Sequence, residues 1–335
     1  MTRSLLFLIV FAGVAAAWYG WTDYQRYLEQ PVSLASEGQN FTIERGWSAK
    51  RLSLELEQQG VIDKRYWFDL YARLSEKAGG IKSGEFSLSG SVTVPELFDL
   101  FVAGQTTQYS LSVIEGSNWK QTMARLSASP DLVHTLDAET LASEDTLMDS
   151  LGFAGLHPEG QFFADTYAFP KGFTDVEYLQ RTKRTLDAVL TEEWEARDDN
   201  LPLDSAYEAL ILASIVEKET AVAAERPLIA GVFLSRLNKR MRLQTDPTVI
   251  YGIGDSFDGN IRRSDLNTDT PYNTYTRAGL PPTPISMVGR EAINAVLQPD
   301  ETTYLYFVAK GDGTHQFSET LEQHNAAVRK YQLKR

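Results

Sequence analysis

The sequence predicts an α+β fold in which an N-terminal transmembrane helix precedes a small α+β module and a larger mixed α/β domain. Three observations lead to this prediction. An uncharged, mostly apolar run begins at Ser4, and a strand-helix-helix-strand pattern lies within residues 38–105. A further unit, residues 156–335, contains a long apolar helix at 201–220. With 335 residues, the chain is long enough for two or three such units.

The composition is that of a folded, acidic protein. Hydrophobic residues make up 43% of the chain and charged residues 23%, and the formal net charge is -13. Because an acidic surface repels phosphate backbones, we expect no nucleic-acid partner. The chain has no cysteine, which excludes a thiol nucleophile, disulfides and cysteine-ligated metal sites.

Residues 1–22 are predicted to be a transmembrane anchor. The eighteen residues from Ser4 to Trp21 are uncharged, and as a helix they would be about 27 Å long, close to the roughly 30 Å hydrocarbon core of a bilayer. Aromatic residues close the run, as at a membrane interface. The alternative is a cleaved signal peptide, because residues 15–17 are alanines at a plausible cleavage site. Both interpretations export the rest of the chain.

A polar stalk is predicted at residues 23–37, followed by the small α+β module at 38–105. Within the module, Ser48 is placed to cap a helix that Gly60 can end. Thr93 is placed to cap the last helix of the module.

Residues 106–155 are interpreted as a connecting subdomain. It contains a predicted strand at 109–114 and a helix that begins near Ser117, and it then becomes polar and irregular. The last unit, 156–335, follows.

The helix at 201–220 ends in two glutamates. Ser205 and Glu208 have the spacing of a capping box, and the residues from 209 to 216 are apolar on nearly every side. A carboxylate at the end of a buried helix is partly desolvated, which raises its pKa toward the range that a general acid needs near neutral pH. Glu217 and Glu219 are about 200° apart around the helix axis, so one of the two faces the site. The alternative is that both belong to a solvated helix terminus.

Three polar loops follow this helix, at residues 241–248, 271–275 and 279–282. Loops on a rigid scaffold commonly carry binding groups, although the same residues also serve as caps in well-packed turns. The candidate substrate-positioning residues in these loops are Gln244, Thr245, Asp246, Tyr272, Asn273 and Tyr275.

Other site classes have no support in the sequence. The glycine pair at residues 252 and 254 lacks the third glycine of a nucleotide-binding fingerprint. The four histidines do not have metal-ligand spacing, and no serine-hydrolase elbow is present. We expect neither a metal nor another cofactor.

Several ordered blocks together resemble the YceG-like family of endolytic murein transglycosylases. The longest are 213–220, which contains both glutamates, and 242–252. The further matching blocks are 271–275, 279–282, 304–309, His315, Phe317 and 322–325.

The resemblance implies a single-pass protein of the inner membrane, with its N-terminus in the cytoplasm and its bulk in the periplasm. It implies a lyase that cuts the β-1,4 bond after N-acetylmuramic acid inside nascent peptidoglycan strands and leaves a 1,6-anhydro end, which would terminate strand elongation. By motif alignment the essential glutamate is Glu219, with Glu217 as the alternative. The resemblance also implies a LysM-like module at 38–105, a catalytic domain at 156–335, and peptidoglycan synthases as partners.

Two other functions stay open. A conventional glycosidase would use Glu219 together with Asp246 or Glu217, because hydrolysis needs a second carboxylate. A catalytically silent scaffold that binds peptidoglycan is the alternative from another class.

Overall fold

The computed structural model describes residues 2–34 and 39–333 and divides the chain into two compact units. Unit 1 comprises Met1–Tyr109 and Ala168–Phe173, and unit 2 comprises Ser110–Tyr167 and Thr174–Arg335. The strands of the described residues form four two-stranded pairs among many helices. The α+β fold class is therefore confirmed.

Unit 1 contains the N-terminal helix and a compact βααβ module. Its elements are α1 Thr2–Glu29, β1 Pro31–Ser33, β2 Gln39–Ile43, α2 Ala49–Gln58, α3 Arg65–Leu74, β3 Gly84–Leu88, β4 Ser91–Thr93, α4 Val94–Ala103 and β5 Gln108–Ser112, which ends in unit 2.

Helix α1 is longer than the predicted anchor. Among the described helices, one, Leu5–Glu29, is long and apolar enough to cross a membrane, and none of its most apolar stretch is buried. Tyr24 and Tyr27 lie one turn apart and are buried in unit 1. Residues 23–29 are thus the packed end of a helix, where the sequence predicted a polar stalk, because the two aromatic side chains find a core to enter. Residues 35–37 of that stalk, and residue 38 of the module, lie outside the described residues.

The predicted strand-helix-helix-strand order is confirmed in β2, α2, α3 and β3. Strands β2 and β3 are antiparallel, with Phe41 opposite Phe86. The Phe86 ring meets that of Phe101 edge-on at 5.0 Å, so α4 closes the core over this pair. Ser48 caps α2 and Thr93 forms a full capping box on α4, as the sequence predicted.

Unit 2 is mostly helical. Its elements are α5 Trp119–Ser127, α6 Ala138–Ala142, α7 Glu144–Ser150, β6 Thr166–Pro170, which ends in unit 1, α8 Asp175–Glu195, α9 Ala206–Glu219, α10 Arg226–Asn238, α11 Asp246–Ile253, α12 Arg263–Asn267, α13 Arg290–Leu297, β7 Tyr306–Ala309, β8 His315–Ser318 and α14 Leu321–Tyr331.

Helix α9 is the centre of unit 2. All eight residues from Ala209 to Val216 are buried, and α8, α10 and α13 pack around them. Ser205 caps the helix by accepting a hydrogen bond from the Glu208 backbone N–H, as predicted. The buried Ser214 hydroxyl accepts a hydrogen bond from the backbone N–H of Ile285 at 2.9 Å. Polar and apolar contacts together therefore hold α9 in one position.

Helix α10 approaches the chain after α13 very closely at Gly231. A Cβ atom at this position would lie 2.5 Å from the backbone oxygen of Asp300. Only glycine allows this approach, and α10 also packs against α9.

Candidate active site

Glu219 is the last residue of α9, and its carboxylate accepts a hydrogen bond from the hydroxyl of Thr245. Thr245 is the N-cap residue of α11 and is buried. Burial raises the pKa of Glu219, and the negative charge of Asp246 raises it further. The Thr245 hydrogen bond opposes this increase because it stabilises the ionised form. The result is a carboxylic acid that keeps its proton to a higher pH than an exposed glutamate.

Two basic residues affect the pKa of Glu219 from a distance. His315 and Arg236 both lower it electrostatically. Arg236 is buried, and its guanidinium donates hydrogen bonds to the backbone oxygens of Leu305 and Leu243 at 2.6 Å each. Because its donors are engaged there, Arg236 holds the chain that leads to Thr245 and supplies a fixed positive charge near the acid.

His315 is oriented by Glu225. Its Nδ1 atom lies 2.7 Å from the Glu225 carboxylate, which also accepts the His315 backbone N–H at 2.9 Å. The sequence singled out His315 only through the family blocks, and it did not identify Glu225 or Arg236. A signal for Arg236 was present, since it is one of two arginines in the otherwise uncharged helix α10.

Glu217 has a different environment. Its carboxylate, 4% exposed, accepts a hydrogen bond from Arg226 at 3.0 Å and from the backbone N–H of Gly289 at 3.3 Å. Arg226 also pairs with Glu291. Burial raises the pKa of Glu217, and the Arg226 charge opposes the increase. The two glutamates therefore point to separate sets of partners, as the helix geometry predicted.

Gln244 and Thr245 lie in a strained segment between α10 and α11. The φ angle of Gln244 is 52°, a left-handed conformation that is uncommon for a non-glycine residue. Backbone hydrogen bonds hold it: Gln244 donates to the Thr274 backbone oxygen, and Thr245 donates to the Thr274 hydroxyl. The turn leaves the Gln244 side chain exposed while Thr245 faces Glu219.

Asp246 and Tyr275 form a pair at the start of α11. The Tyr275 hydroxyl donates to the exposed Asp246 carboxylate at 2.6 Å. The charge of Asp246 acts on Glu219, so this pair belongs to the same site. The sequence predicted a loop at 241–248, whereas the structure begins an eight-residue helix at Asp246, with Pro247 in its first turn.

Asn273 and Tyr272 lie in the loop that supports α11. The buried Asn273 amide donates to three backbone oxygens, those of Asp265, Leu266 and Thr268, at 2.7–3.2 Å. The Tyr272 hydroxyl is 2.8 Å from that of Thr283. Both side chains thus have partners within the protein.

Unit 2 also contains a cavity of about 400 Å³. Its lining includes Lys218, Trp119, Tyr251 and Glu159, but not Glu219. Glu159 is fully buried and accepts hydrogen bonds from the backbone N–H of Trp119 at 3.1 and 3.2 Å. Burial raises the pKa of Glu159 to about 7. The Glu159 carboxylate is thus engaged at the N-terminal end of α5.

Within the described residues, no group of three or more histidine, aspartate or glutamate side chains is placed to hold a metal ion. The chemistry available at Glu219 is proton transfer by a single carboxyl group. Neighbouring hydroxyl, amide and carboxylate groups could position a polar substrate.

Comparisons with known proteins agree with the resemblance of the sequence. A Bacillus subtilis protein named endolytic murein transglycosylase is 33% identical over 325 residues, which are 92% of this chain and 89% of that protein. A Streptococcus pneumoniae protein of the same name is 27% identical, and the match covers 96% of this chain but 64% of the longer relative. The crystal structure of a YceG-like protein from Listeria monocytogenes matches with a TM-score of 0.56 and 30% identity, over 87% of this chain and 98% of that one.

The family model agrees with these relatives. The model described as the YceG-like family matches residues 41–330, most of the chain, including all of α9 and α11. The chain therefore belongs to the YceG-like family.

Proposed function

We propose that this protein is an endolytic murein transglycosylase, a lyase that cuts peptidoglycan strands between N-acetylmuramic acid and N-acetylglucosamine. The names of the relatives support the reaction class. The observation that carries the proposal is the environment of Glu219, a desolvated acid that is hydrogen-bonded to a neutral hydroxyl and has no cation within bonding distance among the described residues.

Glu219 acts in both halves of the reaction. As an acid, it gives its proton to the glycosidic oxygen, and the bond from C1 of the muramic acid to that oxygen breaks. The 6-hydroxyl oxygen of the same sugar then bonds to C1, and its proton passes to the Glu219 carboxylate. The products are a 1,6-anhydro end and a free 4-hydroxyl, and the acid is regenerated. One carboxyl group is sufficient because the nucleophile comes from the substrate.

The raised pKa suits this double role. A general acid works best when its pKa is near the working pH, because it must be protonated at the start and ionised midway. Glu217 is less suited because the Arg226 guanidinium is bonded to it and stabilises its ionised form. We therefore assign Glu217 to positioning: it ties the last turn of α9 to α10 and to the backbone of Gly289.

Substrate positioning is proposed for the exposed groups beside the acid. Gln244 and Asp246 present polar side chains to solvent, and Tyr275 orients Asp246. Thr245 orients the acid itself. Asn273 and Tyr272 act through the loop they support rather than through free polar groups.

A conventional glycosidase is the second candidate, and one observation favours it. Asp246 is an exposed carboxylate, and its negative charge is close enough to raise the pKa of Glu219. It is therefore placed to act as a second carboxylate that activates a water molecule. A silent binding scaffold is the third candidate, which the desolvated acid disfavours.

Product analysis separates the three. Purified full-length protein is incubated with uncleaved glycan strands, and the products are analysed by mass spectrometry. The lyase gives anhydro ends, each lighter than a reducing end by one water, whereas a hydrolase gives reducing ends and a scaffold gives neither. Glu219→Gln should abolish the anhydro products, while Glu217→Gln retains them. Reducing ends from the wild type, or full activity in Glu219→Gln, would contradict the proposal.

We further propose that α1 anchors the protein in the inner membrane, with the N-terminus in the cytoplasm and unit 1 and unit 2 in the periplasm. The apolar length of α1 supports this. Since the chain lacks cysteine, single cysteines at Thr2 and at Ser89 can be tested with a membrane-impermeant thiol reagent in intact cells. Labelling at position 89 alone is expected. Labelling at position 2 alone would show that the topology is the reverse of the one proposed.

The βααβ order supports a LysM-like assignment for residues 38–105 and hence glycan binding by unit 1. Binding of uncleaved strands by the full-length Glu219→Gln protein, weakened by substitutions in unit 1, is the expected result. Peptidoglycan synthases are proposed partners, and co-purification from solubilised membranes tests this.

A further inference from the structure

The C-terminal end of α1 is bound directly to α3. The Asp23 carboxylate accepts hydrogen bonds from Lys64 Nζ at 2.8 and 3.1 Å and from the Trp67 indole N–H at 2.9 Å. The Tyr24 ring packs on that of Trp67 at 5.3 Å. Packing therefore begins two residues after Trp21, which is 56% exposed and lies near the end of the uncharged run.

The short separation fixes the height of the N-terminal end of α3, at Lys64 and Trp67, relative to the proposed bilayer. An α-helix rises 1.5 Å per residue, so Asp23 lies about 3 Å beyond Trp21. Interfacial tryptophans lie at the level of the lipid headgroups, in a layer roughly 5–8 Å thick on each side of the hydrocarbon core. Lys64 and Trp67, which touch Asp23, must then lie in or beside the same layer.

The outer face of α3 has the composition of a membrane-surface helix. Outside α1, the exposed large hydrophobic side chains in the described part of unit 1 are Tyr66, 55% exposed, and Leu74, 62% exposed. Both lie on α3, and their spacing places them on the same side of the helix as the exposed Arg73. The opposite face, with Phe68 and Ala72, is buried. Arginine and tyrosine can keep their polar ends in the headgroups while their apolar parts face the acyl chains.

We propose that the outer face of α3 rests in the phospholipid headgroup layer of the membrane that α1 crosses. Unit 1 then contacts the bilayer at two places and cannot swing on a stalk. The inference rests on the proposed location, in which α1 spans the membrane. We favour the bilayer over a protein partner because the α3 face is continuous with the end of the span through the Asp23 contacts.

Depth measurements with single nitroxide labels test this directly. The cysteine-free full-length chain is placed in nanodiscs of phosphatidylethanolamine and phosphatidylglycerol, with one label at Tyr66→Cys or Leu74→Cys. Collision rates with oxygen and with a water-soluble nickel chelate give the depth of the label. Trp18→Cys is the reference for the span, and Arg51→Cys, an exposed position on α2, is the matched reference on unit 1.

The expected result is that labels at positions 66 and 74 lie in the headgroup layer and collide less with nickel than the label at 51. Equal nickel access at positions 51, 66 and 74 would overturn the proposal. So would a label at position 18 whose collision rates are those of a water-exposed site. Shielding that appears only in native membranes would mean that a protein covers this face instead. None of these measurements requires strand cleavage, so their outcome does not depend on whether the protein has the proposed lytic activity.

Discussion

Thr245 donates its hydroxyl hydrogen bond to Glu219 and so joins the last residue of α9 to the N-cap of α11. The two residues are 26 positions apart in the sequence, but their side chains are in direct contact. Burial and Asp246 raise the pKa of Glu219, and Thr245 holds that increase back. The pKa of the acid is therefore adjustable at a residue that need not touch the reacting atoms.

Replacing Thr245 by valine should raise the pKa of Glu219. The Thr245 hydroxyl stabilises the ionised form of Glu219, so its removal favours the protonated form. Because the proposed mechanism begins with the protonated acid, the alkaline limb of the pH–rate profile should move to higher pH. Thr245→Ser keeps the hydroxyl and should leave the limb in place. If the alkaline limb of Thr245→Val stays where it is in the wild type, Thr245 does not control the pKa of Glu219.

Glu219→Gln should reduce the cleavage rate by about 10²–10⁴-fold or more, the usual contribution of a general acid. The neutral amide is nearly isosteric, so thermal unfolding should change little. The rate is measured as anhydro ends formed per unit time. A variant that unfolds at a much lower temperature would show that the loss is structural, and Glu219→Asp then serves as the folded comparison.

Glu217→Ala should destabilise the protein by about 3 kcal/mol, because it leaves the buried Arg226 without its buried partner. Glu291→Ala is the matched control, since the Glu291 side chain is 69% exposed and its ion pair with the same arginine should contribute about 0–1 kcal/mol. Urea unfolding measures both values. Equal effects would mean that Glu217 does not hold α9 to α10.

Glu159 should make stability depend on pH. Its pKa in the folded protein is about 7, above the ordinary value of 4.5, so the folded state binds this proton more tightly than the unfolded chain. Its contribution of about 3 kcal/mol is complete below pH 4.5 and is lost as the pH rises to 7. Glu159→Gln should flatten this part of the stability profile in urea titrations, whereas substitution of the exposed Glu139 should not.

Asn273→Ala should lower stability by about 1–3 kcal/mol or more, because three backbone oxygens lose their donor in a buried loop. Asn260→Ala, at an exposed position, should have little effect. Thermal unfolding gives the comparison. If Asn273→Ala is as stable as the wild type and only the apparent KM increases, Asn273 binds substrate directly.

Much of the local structure was predictable because its causes lie close together in the sequence. Ser48, Thr93 and Ser205 each cap the helix that follows, and capping depends on groups three residues apart. The burial of α9 followed from a run of apolar residues with no polar face. The separation of Glu217 from Glu219 followed from the helix repeat alone.

The predictions that failed depended on distant partners. Residues 23–29 were expected to form a stalk, because nothing nearby shows that Tyr24 and Tyr27 have a core to enter. The segment after Asp246 was expected to be a loop, whereas its helix is held by the neighbouring Asn273 loop and by contacts with α9.

The sequence by itself determined the family, the apolar first helix and the helix that ends in Glu217 and Glu219, because these depend on local order and composition. Only the tertiary structure decided which environment each glutamate has. Arg226 lies nine residues after Glu217, and Thr245 lies 26 residues after Glu219, in separate elements. A pKa depends on distances between charges and on burial, and these exist only once α9, α10 and α11 have packed together.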